Sequence, residues 1–142
     1  MRLSPLAHFP DERPDEPLYS ILARHHQLTG HSAYSPTLYK AFGTSRPPLI
    51  ADELPSRLGA LLARMPHHDL TYEEMLQTVT SIPYYSRFWD QGTYHWIIQQ
   101  MHGFGDANLR LRAGMRGPNI KHHLCVCLQC IEEDRKKYGD AY

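Results

Sequence analysis

The residues best suited to chemistry lie in segment 122–130, which reads His-His-Leu-Cys-Val-Cys-Leu-Gln-Cys. This segment contains all three cysteines of the chain, and two residues separate Cys127 from Cys130. A C-x-x-C pair with a short turn between its members forms half of a typical tetrahedral zinc site. We therefore predict that Cys127 and Cys130 bind Zn2+ in a zinc-finger knuckle. Further candidate ligands in the same segment are Cys125, His122 and His123.

Three other roles for these cysteines fit the sequence less well. Free cysteine is common in protein cores, but burial alone does not account for the C-x-x-C spacing. A redox C-x-x-C usually begins a helix after a strand in a βαβ pattern, which this sequence lacks. An odd and low number of cysteines disfavours a disulfide framework. No second C-x-x-C or C-x-x-H follows before Tyr142, so we expect the segment to be truncated before a second ligand pair.

Charge is balanced over the whole chain but uneven along it. The 15 basic and 15 acidic side chains give a net charge of +0, whereas binding of nucleic acid by bulk electrostatics usually requires a basic chain. Basic residues nevertheless gather ahead of the knuckle. The candidate contacts for DNA phosphates there are Arg110, Arg112, Arg116 and Lys121. We see no signal peptide and no apolar run long enough to span a membrane, and we expect a cytoplasmic location.

Apolar residues recur at helical spacing between Gly, Pro and capping residues, which predicts a mostly α fold. We expect an extended N-terminal arm over residues 1–16 and a multi-helix domain over 17–105. A basic segment with the partial zinc knuckle should occupy 106–142. The first two helices are predicted at 17–29 and 35–42. The Gly-containing turn between them is compatible with helix-turn-helix geometry.

Local signals predict where several helices begin. Ser35 and Ser56 are the expected N-caps of the second and third helices. Thr71 and Glu74 have the spacing of a capping box at the start of a fourth helix. Asp90 is expected to cap the last helix of the domain. Segment 109–112, Leu-Arg-Leu-Arg, alternates apolar and basic residues and is expected to be extended.

An aromatic cluster follows Pro83 between two predicted helices and comprises Tyr84, Tyr85, Phe88 and Trp89. Large aromatic side chains are usually well buried, so we interpret this cluster as closure of the core. A platform on which nucleic-acid bases stack is the alternative.

The sequence does not indicate an enzyme. It lacks a Gly-rich phosphate loop, a nucleophile elbow and an H-E-x-x-H motif. The acidic pairs Glu73-Glu74 and Glu132-Glu133 are neighbours in sequence and diverge around a helix, which places them poorly as catalytic partners. A small metal-dependent hydrolase would need a third ligand and a general base, and no residue is a convincing candidate for either.

The order of motifs along nearly the whole chain resembles the amino-terminal domain of the TniQ/TnsD family, the target-selection proteins of Tn7-like transposons. The resemblance ends in a C-x-x-C pair followed by Tyr-Gly-Asp-Ala-Tyr. The motifs that carry it are Phe9-Pro10, Asp-Glu-Pro-Leu-Tyr-Ser-Ile-Leu-Ala-Arg at 15–24, Leu-Pro-Ser at 54–56, Thr-Ser-Ile-Pro-Tyr-Tyr-Ser-Arg-Phe at 80–88, Leu-Arg-Leu at 109–111, and Cys127-Leu128-Gln129-Cys130 with Lys137-Tyr138-Gly139-Asp140-Ala141-Tyr142.

The resemblance implies a helical domain with helix-turn-helix character and a zinc finger whose remaining ligands lie in a downstream C-x-x-H. It also implies a non-enzymatic adaptor that links a DNA target or a CRISPR effector complex to the AAA+ ATPase regulator of the transposase. We expect the acidic arm and first helix to bind protein, because carboxylates repel phosphate. The candidate partner-binding residues are Asp15, Glu16, Tyr19 and Arg24.

The alternative function is an autonomous, sequence-specific DNA-binding protein that uses the helix-turn-helix and the zinc finger. Its second helix would lie in the major groove of double-stranded DNA. The polar side chains that this helix offers to bases are Thr37 and Lys40.

Overall fold

A computed structural model of the protein describes residues 4–44, 54–66, 70–105, 108–115 and 127–139. The regular structure in these ranges is helical, without a strand, which confirms the predicted mostly α class. A single 3₁₀ turn at Ser86–Phe88 follows α5. The α-helices are α1 (Leu18–Thr29), α2 (Tyr34–Phe42), α3 (Leu58–Leu62), α4 (Tyr72–Val79), α5 (Ile82–Tyr85), α6 (Gln91–His102), α7 (Leu109–Arg112) and α8 (Leu128–Tyr138).

The core forms around α3, which is five residues long and packs against α2, α4 and α6. Helices of this length are unstable in isolation, so contacts between helices must stabilise them. The side chains with the least exposure come from every part of the helical domain. They include Leu22, Phe42, Leu58, Leu61, Met75, Leu76, Ile82, Ile97 and Met101.

Two helices approach closely at Gly59. A Cβ atom at this position would collide with the ring of His102, so any larger residue would require this exposed ring to move. The His102 ring in turn meets the ring of Tyr72 edge to face, with centroids 4.9 Å apart. The Tyr72 hydroxyl donates to the Ile98 carbonyl oxygen at 2.8 Å. This contact therefore ties α3, α4 and α6 together.

Two of the predicted helix starts are confirmed. The Thr71 side chain accepts from the Glu74 backbone N–H at 3.2 Å, and the Glu74 carboxylate accepts from the Thr71 N–H at 2.7 Å, which completes the capping box of α4. At α6, Asp90 Oδ1 accepts from the Thr93 N–H at 2.9 Å. Both signals are local in sequence, and both act where the sequence places them.

Other predicted boundaries are wrong. The N-cap of α2 is Ala33, and that of α3 is Arg57, whose φ of 64° is left-handed; neither Ser35 nor Ser56 caps a helix. Segment 109–112 is the helix α7 and is not extended. In a helix Leu109 and Ala113 share one face, and both are buried.

The described part of the predicted arm, residues 4–16, has no helix but packs against the helical domain. Leu6 and Phe9 belong to the hydrophobic core. The Leu6 N–H also donates to the Arg64 carbonyl oxygen, at 2.8 Å. The arm therefore closes one side of the core.

An ion pair holds the end of the arm on α1. The Arg24 guanidinium donates to both oxygens of Glu16, at 2.9 Å and 2.6 Å, and also to the Asp11 carbonyl oxygen at 2.6 Å. The Ser20 hydroxyl and the Arg13 backbone N–H also donate to Glu16. Burial raises the pKa of the Glu16 carboxyl, but the hydrogen bonds from Arg24, Ser20 and Arg13 outweigh it and bring the pKa below 4.5.

One histidine, His25, is buried in the fold, and its burial affects its protonation. His25 is 4% exposed, its ring lies 5.1 Å from that of Phe9, and its Nδ1 atom has no hydrogen-bond partner among the described residues. Burial lowers the pKa of His25 below 6.5. The nearby charges that lower it further belong to His8, His31 and His26. The His25 imidazole therefore binds a proton less readily in the folded chain than in the unfolded chain.

We expect the free energy of unfolding to fall as the pH decreases below 6.5, because protonation of His25 then favours the unfolded chain. If His25 stays neutral in the folded chain, the free energy of unfolding falls by about 1.4 kcal/mol for each pH unit of acidification. His25→Phe retains a ring against Phe9 and should flatten part of this dependence in urea unfolding, whereas His95→Phe at an exposed site should not. An unchanged pH dependence in His25→Phe would contradict this role.

Candidate functional site

The two cysteines of the C-x-x-C pair lie at the start of α8. Cys127 is its N-cap, Cys130 lies in its first turn, and both are exposed. The pKa of the Cys127 thiol is lowered by its interaction with the backbone N–H and thiol of Cys130 and with the backbone N–H of Gln129. The pKa of Cys130 is raised because its thiol is the donor. Two adjacent sulfurs at a helix start fit one half of a tetrahedral zinc site.

The other half of such a site is not formed by the residues that the structure describes. In those ranges no three His, Cys, Asp or Glu side chains are grouped so that they could hold a metal ion. The further candidates Cys125, His122 and His123 lie outside the described residues. Zinc binding therefore stays a prediction that rests on the two sulfurs and on their spacing.

Two of the predicted DNA-binding arginines lie on α7. Arg112 is exposed, and its guanidinium lies 3.9 Å from the ring centroid of Trp96 on α6. Arg110 is half-buried on the same short helix. Arg116 and Lys121 lie outside the described residues. The described part of the predicted basic segment is thus anchored to α6 by an arginine–aromatic contact.

The structure corrects the prediction for Thr37, which is 0% exposed and so cannot contact a base in this conformation. Its hydroxyl oxygen lies 2.8 Å from Nδ1 of His26 and 2.9 Å from Nδ1 of His31. Thr37 lies on the buried face of α2, where its hydroxyl contacts side chains from α1 and from the turn after it. Lys40 is exposed.

These polar groups form an ordered chain. The Lys40 ammonium can only donate, so Nε2 of His31, 3.0 Å away, is the acceptor. Neutral His31 then carries its proton on Nδ1 and donates to Thr37, whose hydroxyl can donate to His26. The network links the end of α1, the following turn and α2. Its role is to fix the geometry of the two-helix unit.

Three of the four predicted partner-binding residues line one cavity of about 770 Å³ between the arm, α1 and α8. Glu16 is 7% exposed and is held in the ion pair with Arg24, so it is a structural group rather than a free surface carboxylate. Tyr19 is exposed but does not line the cavity. The lining side chains are Arg13, Asp15, Glu16, Pro17, Ser20, Ala23, Arg24, Gln27, Leu28 and Asp134.

The aromatic cluster differs from its predicted role in the core. Trp89 packs against the core, and its Nε1–H donates to the Ala113 carbonyl oxygen at 2.8 Å. Tyr84 and Phe88, in contrast, are 66% and 76% exposed. In α5 the buried side chain is Ile82, and the 3₁₀ turn that contains Phe88 has no buried residue. The interpretation as core closure is therefore wrong for Tyr84 and Phe88.

Comparison with known proteins identifies the family. The family model TniQ matches residues 7–142, which is nearly the whole chain. None of the curated proteins compared with the chain matches it. Within the described ranges, no helix combines the length and the apolar character needed to cross a membrane. The resemblance found in the sequence is thus confirmed: the chain belongs to the TniQ family, whose role is target selection in Tn7-like transposition.

Proposed function

We propose that the chain is a non-enzymatic adaptor that links a target to the AAA+ ATPase regulator of the transposase. The target is a DNA sequence bound directly or through a CRISPR effector complex. The observation that carries this proposal is the TniQ match over residues 7–142. It is supported by the separation of two candidate surfaces, since the cavity is built on α1 and α8 and the arginines lie on α7.

The cavity on α1 is the proposed contact for the ATPase. Its lining combines both signs of charge, from Asp15, Asp134 and Arg24 among others, with the exposed side chain of Leu28. Mixed charge around apolar groups suits a protein partner, whereas carboxylates at the surface repel DNA phosphates. This surface therefore agrees with the partner-binding role expected for the arm and first helix.

The alternative of an autonomous DNA reader receives less support. In that hypothesis α2 reads bases in the major groove, yet Thr37 is buried and Lys40 interacts with His31. A recognition helix needs several side chains that reach base edges. We therefore propose that Arg110 and Arg112 on α7 contact DNA. Arg116 and Lys121 are proposed as additional contacts.

The adaptor role is tested by co-sedimentation of the chain with the ATP-loaded cognate ATPase on DNA. We expect sedimentation with the ATPase filament and much less with the same DNA alone. Ala23→Arg places a long charged side chain in the cavity and should reduce co-sedimentation at least tenfold, about 1.4 kcal/mol. Ala63→Arg makes the same change at an exposed site outside the cavity and is the control.

Three results would argue against this assignment. Equal sedimentation with bare DNA would favour the autonomous reader. Equal losses in Ala23→Arg and Ala63→Arg would remove the cavity from the proposal. Sedimentation with neither would contradict the adaptor role of the chain.

Zinc ligation by Cys127 and Cys130 is proposed to fix the start of α8. A bound ion would hold the two sulfurs in one geometry, and α8 itself has no buried residue that could do so. We expect zinc to co-purify with the chain and its content to fall several-fold in Cys130→Ser. Thermal unfolding of the helical core should change little, because the described part of that core excludes α8.

Elemental analysis after gel filtration measures the metal, and circular dichroism measures the unfolding. Lys136→Ser on the exposed side of α8 is the control and should retain the zinc content of the unsubstituted chain. Zinc at equal levels in the chain and in Cys130→Ser would contradict the proposed ligands.

A further inference from the structure

Two large rings project from α5 and the turn after it without contributing to the core. Tyr84 and Phe88 are separated by one helical turn, and their ring centroids lie 6.1 Å apart at an interplanar angle of 66°. They are 66% and 76% exposed. Exposed aromatic groups that lie together, rather than singly, usually mark an interaction site. Burial within the described fold does not explain them.

The Tyr84 ring is supported by contacts with neighbouring aromatic rings. The Tyr84 ring meets that of Tyr85 edge to face, at 5.0 Å, and Tyr85 is stacked on Trp89 with an interplanar angle of 13°. Trp89 is held by its hydrogen bond to the Ala113 carbonyl oxygen at the end of α7. A side chain that is already ordered loses less conformational entropy when it binds a ligand. The cluster is thus a preorganised surface.

Positive charge lies on the same segment and on α7, whose end is joined to the cluster by the hydrogen bond from Trp89 to Ala113. Arg87 is exposed between the two rings in sequence, and α7 contributes Arg110 and Arg112, the latter over the ring of Trp96. The acidic side chain nearest in sequence is Asp90. Its carboxylate accepts hydrogen bonds from the Thr93 N–H at 2.9 Å and hydroxyl at 2.7 Å as the cap of α6. Exposed guanidinium groups on these elements suit an anionic ligand, and the nearest acid in sequence is occupied as a helix cap.

We propose that the surface formed by Tyr84, Tyr85, Phe88, Arg87 and Arg112 binds unpaired nucleic-acid bases. The rings would stack on exposed bases while the guanidinium groups pair with phosphates, which is the combination that single-strand binding sites use. In a duplex the faces of the bases are stacked on each other, so the rings could not reach them. An acidic protein would carry the same negative charge as a nucleic acid, but it would not present a series of flat bases on which the rings could stack.

This inference rests on the proposed function in one respect. The proposed function supplies the unpaired strand, which would be exposed at the transposition target. DNA and RNA strands present the same stacking faces and phosphates, so the chemistry of the surface accepts both. The binding itself requires neither the ATPase nor the cavity on α1. The ATPase contact at the cavity and the single-strand binding can therefore fail independently, whereas Arg112 is shared with the proposed DNA contacts.

The test is fluorescence anisotropy of the full chain with labelled oligothymidine or oligouridine of about twelve nucleotides, beside a DNA duplex of equal length. We expect tighter binding to the single strands than to the duplex. Replacing both rings, Tyr84→Leu with Phe88→Leu, retains apolar volume and should weaken single-strand binding by roughly tenfold or more. Tyr39→Leu, at an exposed tyrosine on α2, is the control and should change binding little.

Arg112→Gln should weaken binding to both single strands and flatten its dependence on salt, because one phosphate contact is lost. Circular dichroism confirms that each variant is folded. Equal affinity for duplex and single strand would overturn the proposal, as would unchanged single-strand binding in the double variant. Loss of ATPase co-sedimentation in that variant, with single-strand binding unchanged, would make the surface a protein interface and would also overturn it.

Discussion

Every α-helix described in this protein is too short to be stable alone, the longest being 12 residues. The fold therefore depends on packing between helices, and α3, which contacts three other helices, is at its centre. The ring of His102 on α6 occupies the space that a side chain at Gly59 of α3 would need. Through Tyr72 the same contact reaches α4. Because α3 also packs against α2, four helices meet at this point.

The candidate surfaces are consequences of that arrangement. Glu16 and Arg24 hold the arm on α1, and residues of the arm and α1, with Asp134 of α8, line the cavity proposed for a protein partner. On a different set of helices, Trp89 joins α7 to the aromatic cluster after α5. Adaptor proteins need separate contacts for separate partners. In this protein the two proposed contact surfaces lie on different helices.

Signals that are local in sequence predict the structure well. The capping box of Thr71 and Glu74 and the cap at Asp90 each involve residues three apart, so tertiary contacts are not needed to form them. The C-x-x-C spacing likewise predicts two adjacent sulfurs, because the start of one helix holds both. The family resemblance depends on the order of such short motifs and therefore survives without any knowledge of the packing.

Features that depend on distant residues were not predictable in the same way. The hydrogen-bond partners of buried Thr37 are His26 and His31, which precede its helix. Leu109 and Leu111 look equivalent in an alternating pattern, yet only Leu109 is buried, while Leu111 is 41% exposed. The lining of the cavity includes Asp134, which lies more than a hundred residues after the arm. In each case a tertiary partner decides the outcome, and a local pattern contains no information about it.

Amide hydrogen exchange of the chain, alone and bound to the ATP-loaded ATPase on DNA, tests the central claim that two separate surfaces serve two partners. We predict added protection in α1 and α8 around the cavity, and separately in the segment from α5 to α7. The exposed side of α4, which belongs to neither surface, should exchange as in the free chain. Protection confined to α2 or α4 would contradict the account.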